Sequence, residues 1–297
     1  MSDLRHSAVK QVTRDKEEAL MLKRGAVKFT DSPTLSPVLG VTKDDEQNKA
    51  LLERNLPLDT EEAVYRTIIA NTYNYMDSHD DVHLNNVFKK SLEETKKLFL
   101  LHDHKFEVTA QTGNILKAYE QDGRFIYYGL NSPLDTQALL LDVEIERAKN
   151  ELVFNEYKNH NINQHSVGMY YVKIDLAIDN QDDKEAYALY RKYLPQIGNA
   201  DKVEKQGYFF AVQEAKLKET SAVLMGSNDL TGIFDNNKSI KSIDEAQKMF
   251  DYLGQNIENK EIFNNICKQY VDTFTQIEPS LDTQTDKKPS FYELMSK

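Results

Sequence analysis

The chain has 297 residues, a formal net charge of -11 and a single cysteine, Cys267. That acidic balance argues against non-specific binding to DNA or to an anionic membrane, which needs clustered Lys and Arg, and one cysteine excludes an internal disulfide. No apolar run approaches the roughly 18–20 residues of a membrane span, so a soluble cytoplasmic protein with no membrane partner is expected.

The length allows one sizeable core with extra segments, or two small domains. Hydrophobic residues make up 40% of the chain, which suits a globular protein. The charged fraction of 29% and mean hydropathy of -0.63 place much of the charge on solvated helices or tails. The N-terminal stretch MSDLRHSAVKQVTRDKEEALMLKRG lacks the apolar segment of a secretory signal.

Residues 1–60 read as a flexible leader carrying one short helix, because charge is dense and TDSPTLSPVLG resists regular structure. From Ala63 the texture changes. AVYRTIIANTYNYMD is rich in β-branched and aromatic residues, as strands are. SLEETKKLFLL opens with Ser91 and Glu94 at capping-box spacing and reads as a short helix running into a strand that ends at His102. In KFEVTAQTGNILKAYEQDGRFIYYGLN, the QDGR tetrad reads as a turn between two strands. Asp135 is placed to cap a long helix through about Lys158.

SVGMYYVKIDLAI is strand-like again, and DDKEAYALYRKYLPQIGN reads as an inserted helix stopped by Pro195 and Gly198. Gly207–Gly226 gives one long or two short strands. Beyond Thr231 the chain turns polar, with apolar residues at helical spacing from Ala246 to Phe274 and a loop-like tail. The expected division is a leader over 1–60, a central domain over 61–232, and a helical C-terminal segment with a disordered tail over 233–297.

Three stretches carry chemistry. FLLHDH ends an apolar run with His102, Asp103 and His104, and an imidazole there can accept a proton near neutral pH. A histidine after an apolar run is more often structural. QHSVGMYY places Ser166 just before a strand. A serine needs a base to become a nucleophile, and Gly168 permits close approach of a backbone and exposure of N–H donors to an oxyanion. VQEAKLKETSAVLMGSN holds Glu214 and Glu219, either of which can fix a histidine tautomer; a solvated strand face is the plainer alternative. A fourth cluster, His79 and His83 with Asp77, Asp80 and Asp81, has metal-ligand residue types, but its SHDDVH sequence looks like a turn rather than a helix face. Cys267 sits on an apolar stripe, as a packing residue does.

The order of these stretches resembles the tailed-phage prohead (procapsid maturation) serine protease family, distantly related to the herpesvirus assemblins. The resemblance covers about Ala63–Thr231 and rests on four blocks: DSHDDVHLNNVFKKSL, LFLLHDH, HSVGMYY and EAKLKETSAVLMGSN. It implies an α+β fold built on a small, mostly antiparallel β-barrel with surrounding helices. It implies that His102 is the base, Ser166 the nucleophile and Glu219 the third member, with Glu214 as the alternative. Main-chain groups near Gly168, or in the Gly226–Asn228 loop at Asn228, are the oxyanion candidates.

The resemblance further implies an endopeptidase that needs no metal or organic cofactor. Its substrates would be the major capsid protein's scaffolding region, the scaffold protein and the protease itself, inside the assembling procapsid in the host cytoplasm. No specific nucleic-acid partner follows from it, and self-association is open. The chain departs from the family at GSN, where Pro-Ala-Asn is usual. It departs also in the long Ser166–Glu219 interval, and in having no arginine after Arg191.

Overall fold

The computed structural model describes residues 2–25, 56–130 and 132–234. The helical pattern expected between Ala246 and Phe274, Cys267 and the polar tail lie outside the described residues.

Eight strands form one mixed sheet. In chain order they are β1 (Ala63–Thr72), β2 (Asp81–His83), β3 (Phe99–His102), β4 (Gln111–Arg124), β5 (Asp135–Glu146), β6 (His165–Ile178), β7 (Tyr208–Ala222) and β8 (Gly232–Phe234). The order across the sheet is β2-β7-β3-β4-β5-β1-β8, with β6 on β7. β7 is the spine of the site. β6 runs antiparallel along one edge of it, while β2 and β3 pair parallel with opposite halves of its other edge. The α+β class stands. The expected barrel does not: among the described residues β6 pairs only with β7, so the sheet is not closed.

Six α-helices surround the sheet among the described residues: α1 (Ser2–Arg14), α2 (Lys16–Gly25), α3 (Lys89–Glu94), α4 (Glu151–Lys158), α5 (Lys184–Tyr193) and α6 (Ala200–Gln206). The first two correct the expectation of a flexible leader for residues 2–25. Val9 and Leu20 are buried in the main core. Three cations tie the helices down: Arg5 to Asp179 and to the Glu204 carbonyl, Lys16 to Asp183 at 2.9 Å, and Lys23 to the fully buried Asp81 at 2.7 Å.

The largest misreading is Asp135–Lys158. Asp135–Glu146 is strand β5, and only Glu151–Lys158 is helical. β5 is covered on both faces. Leu139, Leu141, Val143 and Ile145 enter the main core with β1, β6 and β7, while Ala138 and Leu140 enter a second cluster with Phe125 and Tyr128. A strand buried on both sides reads as a continuous apolar run, which periodicity cannot tell from a buried helix. Each such Leu, Ile or Val contributes about 1.5–3 kcal/mol on burial, and that outweighs helix propensity. The true helix cap is Asn150, whose side chain accepts from the Val153 N–H at 3.1 Å.

Two local signals also fail. β4 runs straight through QDGR, and the chain reverses after it in the 3-10 turn Phe125–Tyr128. The Ser91 capping box does not form. α3 begins after Phe88, and the Ser91 hydroxyl instead accepts from the Leu217 N–H at 2.9 Å, tying the helix to β7.

Candidate active site

The site is assembled where β3, β7 and β6 lie side by side. Three rungs matter: Phe99–Glu219–Gly168, Leu101–Ser221–Ser166 and His102–Ala222–His165. Directly paired residues on neighbouring strands share a face, and residues two apart on one strand do too. Glu219, Ser221, Ser166 and Gly168 therefore lie on one face.

Glu219 is fully buried, and both its oxygens are engaged. Oε1 lies 2.6 Å from Nδ1 of His104. Oε2 accepts the Ser221 hydroxyl proton at 2.6 Å. Ser221 Oγ in turn accepts from the His104 backbone N–H at 3.1 Å. A buried carboxylate without such partners would be strongly disfavoured. Because an ionised carboxylate only accepts, it fixes the Nδ1–H tautomer of the neutral ring and leaves Nε2 with the free lone pair.

Gly168 gives Glu219 its place. A Cβ at Gly168 would stand 2.1 Å from Glu219 Oε1 and 2.8 Å from its carboxyl carbon. The missing side chain at Gly168 is thus what clears room for the carboxylate.

The structure places Ser166 and Glu219 on one face, two rungs apart along the β6–β7 ladder, but it pairs Glu219 with His104 rather than His102. The His102 ring contacts Asp103 instead, at 3.3 Å. Burial opposes ionisation of Asp103, yet hydrogen bonds from His102 and Lys105 hold its carboxyl below the usual carboxylate range. The cause of the exchange is the turn after β3. Lys105 N–H closes it onto the His102 carbonyl at 3.2 Å, and both central residues, Asp103 and His104, are left-handed, with φ of 52° and 55°. Paired left-handed residues characterise tight primed turns and are strained for non-glycine side chains. The turn swings His104 back onto the sheet. A signal for this was present in the sequence, a second histidine in His-Asp-His, but motif order singles out the first.

Glu214, the alternative acid, pairs across the ladder with Lys173 and with Lys90 at 3.3 Å, about five strand residues or roughly 16 Å from Glu219. It takes no part in the histidine cluster. The Asn228 side chain is fully engaged within the fold. Its side-chain amide donates to Asn71 Oδ1 at 2.8 Å and to the Thr72 carbonyl at 2.7 Å, and its oxygen accepts from Leu230 N–H at 2.9 Å. The buried side chain locks the β7–β8 loop onto β1. In the same loop, Gly226 N–H is taken by Gln164 Oε1 at 3.3 Å.

The hydrogen bonds of the site pass through Ser221 and do not include Ser166. Its neighbour His165 anchors this end of β6, with a buried ring that faces the opposite way, into the core. His165 Nε2 lies 2.8 Å from the Tyr157 hydroxyl, and the two rings stack. Burial pushes the His165 pKa down to about 3, against a smaller upward pull from the Gly232 backbone, so this ring is neutral and structural.

The His79/His83 cluster is a folded loop. Asp77 Oδ1 accepts from the His79 and Asp81 N–H groups, His83 Nδ1 meets the Asn71 amide at 2.8 Å, and Asp81 takes Lys23 and the Tyr171 hydroxyl. Among the described residues no three His, Cys, Asp or Glu side chains converge as a metal-binding group, and no helix is long and apolar enough to cross a membrane. No protein-family model, curated protein or solved structure matches this chain.

Proposed function

We propose that the chain is a serine endopeptidase of the procapsid-maturation type, with Ser166 as nucleophile, His104 as base and Glu219 as the acid that orients it. The observation that carries this reading is the 2.6 Å contact between His104 Nδ1 and the buried Glu219 carboxylate, with Ser166 on the same face two rungs along the ladder. That is the base–acid half of an acyl-transfer triad.

In the reaction, Ser166 Oγ attacks the scissile carbonyl carbon as its proton passes to His104 Nε2. The tetrahedral intermediate collapses, the C–N bond breaks and the proton goes to the leaving amine. Water, deprotonated by the same Nε2, then releases the acyl group. Glu219 offsets the imidazolium charge throughout, and Ser221 holds the second carboxylate oxygen still. The substrates on this reading are scaffold and capsid-protein scaffolding segments, and the chain itself, inside a procapsid. Confinement at high local concentration makes weak recognition sufficient.

The test is active-site labelling with a fluorophosphonate, read by intact mass, on wild type, Ser166→Ala, His104→Gln and His102→Gln. Labelling is expected in wild type and His102→Gln and lost in the other two. Persistent labelling of Ser166→Ala sinks the nucleophile assignment; loss in His102→Gln alone returns the base to His102. Co-expression with capsid and scaffold proteins tests the substrate, and unchanged product sizes relative to Ser166→Ala refute it. A second reading, a non-catalytic assembly protein, is favoured by the absence of Ser166 from the site's hydrogen bonds, and it predicts no labelling in any variant.

A further inference from the structure

A groove of about 470 Å³ opens between the α3–β3 connection and the first half of β4. It reaches the Glu219 rung, because Phe99 lines it and also pairs with Glu219. Lys96 and Lys97 stand on one wall, and Lys117 and Lys149 on the other. Lys149 is engaged by Glu146 at 3.0 Å. The other three make no ion pair with a carboxylate among the described residues: Lys97 lies 5.0 Å over the Phe99 ring, and Lys117 lies 4.6 Å over Tyr119. Three uncompensated lysines around one groove stand out in a chain of net charge -11.

The backbone of the groove is also open. β3 pairs with β4 only at Leu100–Gly113 and Leu101–Gln111. From Asn114 to Ala118, β4 has no strand on that side among the described residues, so its edge groups are free to pair with an incoming extended chain. A β-bulge sits at this point. Ile115 pairs with Val143 and Lys117 with Asp142, leaving Leu116 as the extra residue, half exposed in the groove.

We propose that this groove is an exosite for an extended acidic peptide segment, which adds to the β4 edge and sets its carboxylates against Lys96, Lys97 and Lys117. A polyphosphate chain fits less well. The apolar side chains of Phe99 and Leu116 in the groove lining offer it nothing, whereas an extended peptide can set alternate apolar side chains against them. The exosite rests on the protease reading only in making the segment part of a substrate; binding itself does not need catalysis.

The experiment uses full-length Ser166→Ala and a short fluorescein-labelled peptide of alternating glutamate and valine, read by fluorescence anisotropy. Controls are the lysine-for-glutamate peptide and a labelled single-stranded oligothymidylate. Saturable binding of the acidic peptide alone is expected, weakened at least about tenfold in Lys96→Gln/Lys97→Gln/Lys117→Gln and by added salt. The side chains are exposed, and a matching thermal midpoint confirms that the triple variant folds. No acidic-peptide binding, binding untouched by the triple variant, or tighter oligothymidylate binding overturns the exosite. If Ser166→Ala binds the peptide while wild type fails to label with fluorophosphonate, the exosite stands and the protease reading falls.

Discussion

His165 offers a sharp test of how the strand carrying Ser166 is held. Its ring is fully buried against Tyr157, and burial lowers its pKa from the ordinary 6.5 to about 3. The folded state therefore keeps the ring neutral where the unfolded chain takes up a proton. The folded value is depressed, so stability is complete above about pH 6.5 and is lost progressively as pH falls toward 3. From the two pKa values, moving from about pH 7 to about pH 5 removes about 2 kcal/mol through this one group. The assay is urea unfolding of wild type and His165→Gln at both pH values. Other titrating groups contribute equally to both proteins, so the difference in their pH-dependent losses isolates His165. Wild type should lose about 2 kcal/mol more than the variant over that interval. Equal losses would refute the assignment of a buried neutral imidazole at the start of β6.

Three further outcomes follow from contacts in the same region. Gly168→Ala places a Cβ 2.1 Å from Glu219 Oε1, so the carboxylate must shift; fluorophosphonate labelling should slow by about a hundredfold, as misplacement of a catalytic group by about 1 Å does. Lys23→Met leaves Asp81 buried without the cation 2.7 Å from its Oδ1; a loss of about 3–5 kcal/mol is expected by urea unfolding, and a change under about 1 kcal/mol would show that α2 is not anchored by this pair. Asn228→Ala removes the side chain that satisfies Thr72 and Leu230 backbone groups; the expected loss is about 2–3 kcal/mol by the same assay, with labelling by fluorophosphonate retained, since the side chain is spent on locking the loop and the main-chain N–H is kept.

Strands with one exposed face, or with a clear β-branched and aromatic bias, were legible in the sequence. β1, β3, β6 and β7 fall close to where composition puts them. The elements that were not legible share a cause, which is that tertiary contacts overrode a local signal. β5 looks helical because both faces are apolar. The Ser91 capping box loses to a hydrogen bond from Leu217. The α1–α2 segment looks like a solvated leader because its charges are visible in sequence while their acidic partners, Asp81, Asp179 and Asp183, lie far along the chain. Sheet closure was the least legible feature, since an open or closed edge depends on whether β6 and β1 form a ladder, which neither strand's sequence encodes alone.

The candidate site divides along the same line. The placement of Glu219 and Ser166 on strands was legible, and within a strand register carries a spacing in sequence directly into a position in space. Glu219 and Ser221 share a face at two residues' separation, and Gly168 opposite them is the small residue that lets the carboxylate sit there. The histidine was not legible in the same way, because it lies just past the end of β3, where register stops. On a continuing strand His102 and His104 would share a face, and His102 would be the one held within the ladder. Two consecutive left-handed residues instead fold the chain back, so that His104 reaches Glu219 while His102 turns to Asp103. The strain of that turn is offset by what it delivers: the His104 backbone N–H bonds Ser221 and its ring bonds Glu219, so two contacts to one hydrogen-bonded Ser221–Glu219 pair fix one residue. An imidazole held at both backbone and ring is fixed in orientation by the fold itself. Glu219 therefore acts on the turn as well as on the imidazole, and a change at Glu219 should disturb the backbone of Asp103–His104 together with the ring.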